Sequence, residues 1–245
     1  MTKTQIAWIT AALIALVVLI FTGIAFKRGA LSWSDGRIFF SLATLKNPAP
    51  SLDRPVNFPA DFSPDAQRLF VDTMAKTKAT LEEEPRNVSA WLDLAIQYRM
   101  VGDHEGALEI WEYISALYPQ EGISLHNIAE YYFHTTKDYA AAESYYLRSI
   151  SVAPSLSQNY FDLADMYQYV YKQGTSAAVD ILKKGIRNVE QPSNVDLVVR
   201  LAQYYAATGD SKSARTYYDE ALRAARVLNN RSLVAQINQA IANLK

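Results

Sequence analysis

Two histidines and a glutamate stand four residues apart in the middle of the chain, at His126, Glu130 and His134. This spacing places all three on one face of a helix, and imidazole nitrogens and carboxylate oxygens are ligands that zinc accepts. Because a helix rises 1.5 Å per residue, His126 and His134 would lie about 12 Å apart along its axis, too far for one ion. We therefore expect no metal site, and predict a solvated or peptide-contacting face.

The sequence contains none of the short motifs that carry common enzyme chemistries. It has no G-x-x-x-x-G-K-[ST] loop, dinucleotide fingerprint, nucleophile elbow or H-E-x-x-H helix. The absence of cysteine excludes disulfides, thiolate zinc sites and thiol catalysis. Lysine plus arginine (24) balance aspartate plus glutamate (25), so the chain lacks the positive charge typical of nucleic-acid-binding proteins. We expect a binding protein without cofactors, not an enzyme.

A pattern of aromatic, aliphatic, small and proline residues recurs four times between residues 88 and 228. Each copy opens with a large apolar residue, a second apolar residue, an alanine and a tyrosine at i, i+3, i+4 and i+7. These opening sets are Trp91, Leu94, Ala95 and Tyr98; Leu125, Ile128, Ala129 and Tyr132; Tyr160, Leu163, Ala164 and Tyr167; and Val198, Leu201, Ala202 and Tyr205. Pro85, Pro119, Pro154 and Pro192 follow one another at intervals of 34, 35 and 38 residues. A near-constant period of this size is typical of a repeat architecture.

Each copy predicts two antiparallel helices. The opening set forms one stripe of a helix with 3.6 residues per turn. Gly102-Asp103 in the first copy and Gly209-Asp210 in the fourth end this helix, because glycine accepts the left-handed conformation that follows a helix end. A pair of such short helices cannot bury its apolar face alone, so we expect the copies to stack and share a core.

This arrangement resembles the tetratricopeptide repeat. The first and fourth copies match the pattern W/V-x-x-L-A-x-x-Y, Gly-Asp and A-x-x-x-W/Y almost position for position. The second copy carries one extra residue around Thr135-Thr136, and the third replaces the Gly-Asp turn by a longer connection with Lys172-Gln173-Gly174. The resemblance implies an all-α fold, a tetratricopeptide-type α-solenoid of about four repeats with capping helices.

In the tetratricopeptide family, ligands usually lie in a concave groove that the first helix of each repeat lines. The resemblance implies that the partner-binding residues here are Leu92, Ile96, Arg99, Met100, His126, Glu130, Phe133, His134, Gln158, Phe161, Asp165, Gln168, Tyr169, Asp196, Val199 and Gln203. This set lacks the lysine, asparagine and arginine with which one subclass of the family clamps a C-terminal carboxylate. A peptide or helix with apolar anchors and a basic residue would suit it, since apolar anchors supply most of the binding energy.

Residues 6–26 form an uncharged run rich in isoleucine, leucine, valine and alanine. Its length is about what a helix needs to cross a hydrocarbon layer of roughly 30 Å, so we expect a single transmembrane anchor. A cleaved signal peptide is the alternative, with Gly23-Ile24-Ala25 as its small-residue site. Lys27 and Arg28 favour a cytoplasmic repeat domain. The five residues before the run, which include Lys3, suit a signal anchor that exports everything after it, and we favour this orientation.

The remaining segments surround the repeats. Residues 29–63 contain four prolines and predict a partly extended spacer, with a short strand or helix packed on the repeats as the alternative. Ser63-Pro64-Asp65 has the residues of a helix start. We expect a membrane anchor over 1–28, a linker over 29–63, a capping helix over 64–87, four repeats over 88–228 and a second capping helix over 229–245.

These features together predict a membrane-anchored scaffold or adaptor that binds a protein or peptide partner through the groove of its repeats. A tether would raise the local concentration of the partner at the membrane. The alternative is a self-associating structural subunit of a membrane or cell-envelope assembly, a homo-oligomer whose repeats pack on copies of themselves. Neither hypothesis involves nucleic acid.

Overall fold

The computed structural model describes residues 31–34, 37–40 and 48–244. The chain divides into two compact units, Met1–Pro119 and Gln120–Lys245. Among the described residues, no helix combines the length and the apolar character that a membrane span requires. The anchor predicted at residues 6–26 lies outside the described residues.

Three helices lie in the described part of the first unit. They are α1 (Pro64–Glu83), α2 (Val88–Met100) and α3 (His104–Leu117). α1 begins where the Ser63 side chain accepts a hydrogen bond from the amide of Ala66, and Pro64 at its first position already has a helical φ. The opening set of the first copy, Trp91, Leu94, Ala95 and Tyr98, is buried on the inner face of α2.

The segment before α1 contains regular structure and contacts helices. β1 (Leu31–Ser34) and β2 (Arg37–Phe40) form an antiparallel hairpin with Leu31 opposite Phe40. Further along, the rings of Phe58 and Phe62 lie 5.5 and 6.1 Å from the ring of Phe70 on α1, both edge-on. The part of the predicted spacer over 48–63 is therefore packed on the first unit. Its prolines indicate extended backbone, and its phenylalanines supply the apolar surface that docks it.

Seven helices and two π-helical turns form the second unit. They are α4 (Gly122–Tyr131), the turn Tyr132–Thr136, α5 (Tyr139–Val152), α6 (Ser157–Met166), the turn Tyr167–Tyr171, α7 (Ala177–Asn188), α8 (Val195–Ala207), α9 (Ser211–Val227) and α10 (Arg231–Ala242). Each helix packs on the next, and α6 also contacts α8, so the first helices of successive hairpins are neighbours. Tyr146, Tyr160 and Leu163 are fully buried between them.

The two irregular copies differ from the others at their turns. Gly102 and Gly209 have the left-handed φ values of 81° and 83° that the Gly-Asp turns predict. In the second and third copies the first helix ends in a π-helical turn, and Lys137 (φ 61°) or Gly174 (φ 72°) follows. Because a π turn accommodates one additional residue, it absorbs the extra residue of the second copy while the buried stripe stays in register.

Candidate functional site

A cluster of polar side chains lies between the first helices of the second and third copies, α4 and α6. Nε2 of His126 lies 3.7 Å from Oδ2 of Asp162, and Nε2 of His134 lies 3.3 Å from Oε2 of Glu130. Ligand atoms of His126, Glu130 and Asp162 all lie within 4.8 Å of one another. These three residues, which we call the polar cluster, are half-buried.

A chain of hydrogen bonds sets the orientation of the His126 ring. The hydroxyl of Ser149 donates to the carbonyl oxygen of Gly122 (2.7 Å), and the amide Nδ2 of Asn159 donates to Oγ of Ser149 (2.7 Å). Oδ1 of Asn159 is then the acceptor that faces Nδ1 of His126 at 3.0 Å, so Nδ1 carries the proton. In a neutral ring this leaves the lone pair of Nε2 directed at Asp162.

The carboxyl groups of the cluster are in an unfavourable electrostatic environment. Burial, followed by the negative charge of Glu130, raises the pKa of Asp162 to about 7. The Tyr146 hydroxyl donates to Glu130, and burial together with the charge of Glu130 raises the pKa of this phenol well above its usual range. Tyr146 therefore stays a neutral donor to Glu130, and Asp162 is partly protonated at neutral pH.

A second polar contact follows one hairpin later. The guanidinium Nη2 of Arg200 on α8 lies 3.4 Å from Oδ2 of Asp165 on α6. Burial raises the pKa of Asp165 from its usual value, and its Oδ1 is buried without a hydrogen-bond partner. Asp165 therefore has a cationic neighbour from the next repeat, whereas Asp162 and Glu130 face the imidazole rings of His126 and His134.

The first unit presents an apolar groove between α1 and α2. Leu69, Met100 and Ile96 are 69%, 57% and 39% exposed, which is unusual for large apolar side chains. They line a cavity of about 630 Å³ together with Phe62 and Phe70. We call these five residues the α1–α2 groove.

The α1–α2 groove also contains polar groups with free hydrogen-bonding capacity. Gln97 lies on its floor, and its Nε2 donates to the hydroxyl of Thr77 (2.9 Å). Oε1 of Gln97 is buried and accepts no hydrogen bond. The carboxylate of Asp93 lies on the exposed rim. A ligand with apolar side chains and one hydrogen-bond donor would satisfy all of these groups.

The sixteen residues predicted to bind a partner all lie outside the buried core, half-buried or exposed. They separate into two sets, one on α2 in the first unit and one in the second unit. On α2, Ile96 and Met100 lie in the α1–α2 groove. In the second unit His126, Glu130 and His134 meet around Glu130, and Gln158 reaches the cluster by donating to Oδ1 of Asp162 (2.8 Å).

Two of the predicted partner-binding residues are packed more closely than expected. Phe133 and Phe161 are half-buried and lie against the core cluster of the second unit. The ring of Phe133 lies 4.3 Å from the His134 ring and 5.9 Å from the Tyr139 ring. Substitution of either phenylalanine would therefore change packing as well as any surface that a partner contacts.

Sequence reasoning missed Asp162 and Arg200, although the repeat alignment contains a signal for both. Each stands two residues after the residue that opens its copy, Tyr160 or Val198, and each reaches the first helix of the preceding copy. Asp93 occupies the same position after Trp91 and lines the groove towards α1. Comparison of this position across the copies would have identified all three.

The comparisons with known proteins support the repeat assignment. The sequence model of the tetratricopeptide repeat family matches residues 123–156 and 195–227, which contain the second and fourth copies. The chain contains tetratricopeptide repeats. Curated protein sequences yielded no match to it.

Solved structures with the same fold cover most of the chain. The crystal structure of MamA aligns with a TM-score of 0.51 and 19% identity, over 67% of this chain and 94% of MamA. The pilF protein of Pseudomonas aeruginosa aligns with a TM-score of 0.50 and 19% identity, over 73% of this chain and 86% of that protein. A thermophilic tetratricopeptide protein of Thermus thermophilus aligns with a TM-score of 0.50 and 19% identity, over 71% of this chain and 96% of that protein. At this identity the likeness establishes the fold alone.

Proposed function

We propose that this protein is a membrane-anchored adaptor whose tetratricopeptide repeats bind an amphipathic segment of a protein partner. The observation that carries this proposal is the α1–α2 groove, where Leu69, Ile96 and Met100 expose apolar surface around a cavity of about 630 Å³. Exposed apolar patches with a polar rim are typical of protein-binding surfaces.

The groove sets the chemistry of the bound segment. Its walls are helix faces, so a short helix or extended peptide with two or three apolar side chains would bury the most surface. The exposed carboxylate of Asp93 at the rim favours a lysine or arginine next to the apolar anchors.

Residues 6–26 supply the proposed membrane anchor. An uncharged run of this length suits a transmembrane helix. The segment over 48–63 packs on α1 and α3, so the packed part of the first unit begins 22 positions after the end of the apolar run in the sequence. Anchoring would raise the concentration of a membrane-bound partner around the groove.

Site-specific photo-crosslinking in native membranes tests this function. A photoreactive residue such as p-benzoylphenylalanine replaces Met100 in the full-length chain. In the control it replaces Val227, an apolar residue of the second unit that is 73% exposed, against 57% for Met100. We expect a crosslink to one partner protein from position 100, lost when Leu69→Glu is added, and none from position 227.

The other outcomes of this experiment discriminate between the hypotheses. A crosslink from position 100 to a second copy of the chain would replace the adaptor by the self-associating structural subunit. Equal crosslinks from positions 100 and 227, or crosslinks that Leu69→Glu leaves unchanged, would show that the α1–α2 groove is not the docking surface.

A further inference from the structure

The polar cluster brings one imidazole nitrogen and two carboxylate oxygens together at a junction between two repeats. His126 and Glu130 lie one turn apart on α4, and Asp162 comes from α6 of the next hairpin. We propose that His126, Glu130 and Asp162 bind one divalent transition-metal ion of the zinc class. Such an ion is a ligand separate from the partner segment, and it would bind whether or not the α1–α2 groove is a docking site.

The charge of the cluster calls for a cation. The hydrogen bond from Nδ1 to Asn159 directs the lone pair of a neutral His126 at Oδ2 of Asp162, 3.7 Å away. Glu130 adds a second carboxylate to the same space. Three electron-pair donors that converge in a half-buried site repel one another unless a proton or a metal ion lies between them.

Each of the three residues has an outer partner that orients it. His126 donates through Nδ1 to Asn159, which the buried Ser149 holds in turn. Glu130 accepts from the Tyr146 hydroxyl, and Asp162 accepts from Gln158. Metal-binding histidines and carboxylates typically have outer hydrogen bonds of this kind, which fix the tautomer and orient the side chains.

The donor set and its spacing favour zinc over calcium or magnesium. Calcium and magnesium prefer oxygen ligands alone, whereas one imidazole with two carboxylates suits zinc or a similar transition metal. Zinc–ligand distances of about 2.0–2.2 Å place ligand atoms about 3.4 Å apart in a tetrahedral site. The pair His126–Asp162 is at 3.7 Å and all three ligand atoms lie within 4.8 Å of one another, so small side-chain rotations would bring them to this spacing.

The proposed site does not require both histidines of α4, which lie too far apart along the helix to bind one ion. His126 and His134 lie two turns apart and are not needed in the same coordination sphere, because Asp162 supplies the third ligand from the neighbouring helix. His134 stays beside the outer oxygen of Glu130 at 3.3 Å. The ion would therefore link α4 to α6 and make the junction between the second and third copies more rigid.

Metal titration of the purified full-length protein, untagged and in detergent, tests the proposal. Equilibrium dialysis with Zn²⁺ gives the stoichiometry and affinity, and Co²⁺ gives an absorption spectrum that reports ligand geometry. We expect one ion per chain, the ligand-field bands of a four- or five-coordinate site with Co²⁺, and a loss of more than about tenfold in affinity in Asp162→Asn. Asp162→Asn keeps the shape of the side chain and removes only its charge.

Two control variants make the outcome specific. His104→Gln removes a histidine of α3 outside the cluster, and Asp165→Asn removes the neighbouring acid that pairs with Arg200. Both should keep the site, and circular dichroism should show the same helix content in all variants. Absence of Zn²⁺ binding to the wild type, equal affinity in Asp162→Asn, or tighter binding of Mg²⁺ or Ca²⁺ than of Zn²⁺ would each overturn the assignment.

Discussion

Single side chains join the segment before the helices to the first repeat. The guanidinium of Arg54 donates through Nη2 to Oδ1 of Asp103 (2.9 Å) and through Nε to the other carboxylate oxygen. Asp103 also caps α3 by accepting from the amide of Gly106 (2.9 Å). One carboxylate thereby serves both the helix start and the docking of the segment over 48–63, which sequence reasoning treated as a spacer.

The Arg54–Asp103 pair predicts a pH-dependent contribution to stability. The hydrogen bond from Arg54 lowers the pKa of Asp103 below its usual 3.8, so the contribution is complete above pH 3.8 and is lost as the pH falls through the lower folded-state value. Asp103→Asn removes the charge but keeps a good capping residue. We expect it to lower the free energy of unfolding at pH 7 by about 1 kcal/mol, because both side chains are partly exposed.

Urea unfolding of the wild type and Asp103→Asn at pH 7 and at pH 3 measures this difference. The difference should shrink at pH 3, which lies below the usual pKa of 3.8, because the unfolded chain then binds a proton that the folded ion pair resists. A difference of the same size at both values would assign the effect to the helix cap instead of the ion pair.

At the scale of elements, the turns decide how each copy departs from the regular repeat. Asp103, Asp138 and Asp210 all accept a hydrogen bond from an amide in the first turn of the second helix of their copies. Before the aspartate, the first and fourth copies have a left-handed glycine and the second has Lys137 (φ 61°). Lysine in this conformation is strained, since its Cβ approaches the following carbonyl oxygen.

Replacement of the strained lysine by glycine should stabilise the second copy. We expect Lys137→Gly to raise the free energy of unfolding by about 0.5–1 kcal/mol, because the relief of strain exceeds the entropy that glycine loses on folding. The matched variant Gly209→Ala, at the equivalent turn of the fourth copy, should lower it by a similar amount or more. Thermal or urea denaturation measures both. A destabilising Lys137→Gly would mean that the lysine side chain makes contacts that outweigh its backbone strain.

At the scale of the whole molecule, the proposed anchor decides where the repeats work. The chain isolated from membranes should retain residues 6–26, as peptide mass mapping would show, and the protein should resist extraction by alkaline carbonate. Leu16→Arg places a charge near the centre of the apolar run, at an insertion cost of about 2.5–3.5 kcal/mol, and should weaken membrane association.

A chain shortened after Ala25 would instead identify a cleaved signal peptide. Protease treatment of intact cells would show which side of the membrane the repeats face.

The sequence by itself determined the helical repeats and most of their boundaries, because these depend on local rules. The stripe from Trp91 to Tyr98 has the helical period, and Gly102-Asp103 ends one helix and caps the next within a few residues. The aspartates, prolines and period of about 34–38 residues therefore predict where helices start, stop and stack. They also place the partner-binding candidates outside the core.

Only the tertiary structure decided which of these side chains act together. The polar cluster needs Asp162 from one hairpin beside His126 and Glu130 of another, and the α1–α2 groove needs Leu69 from a helix before the repeats beside Met100. Both depend on the distance and register between packed helices. In the second unit, π turns end the first helices of the second and third copies. From the sequence alone, His126 and His134 were the candidate histidine ligands, and their separation along one helix excluded a shared metal ion. The third ligand comes across the helix interface, where no local pattern reports it.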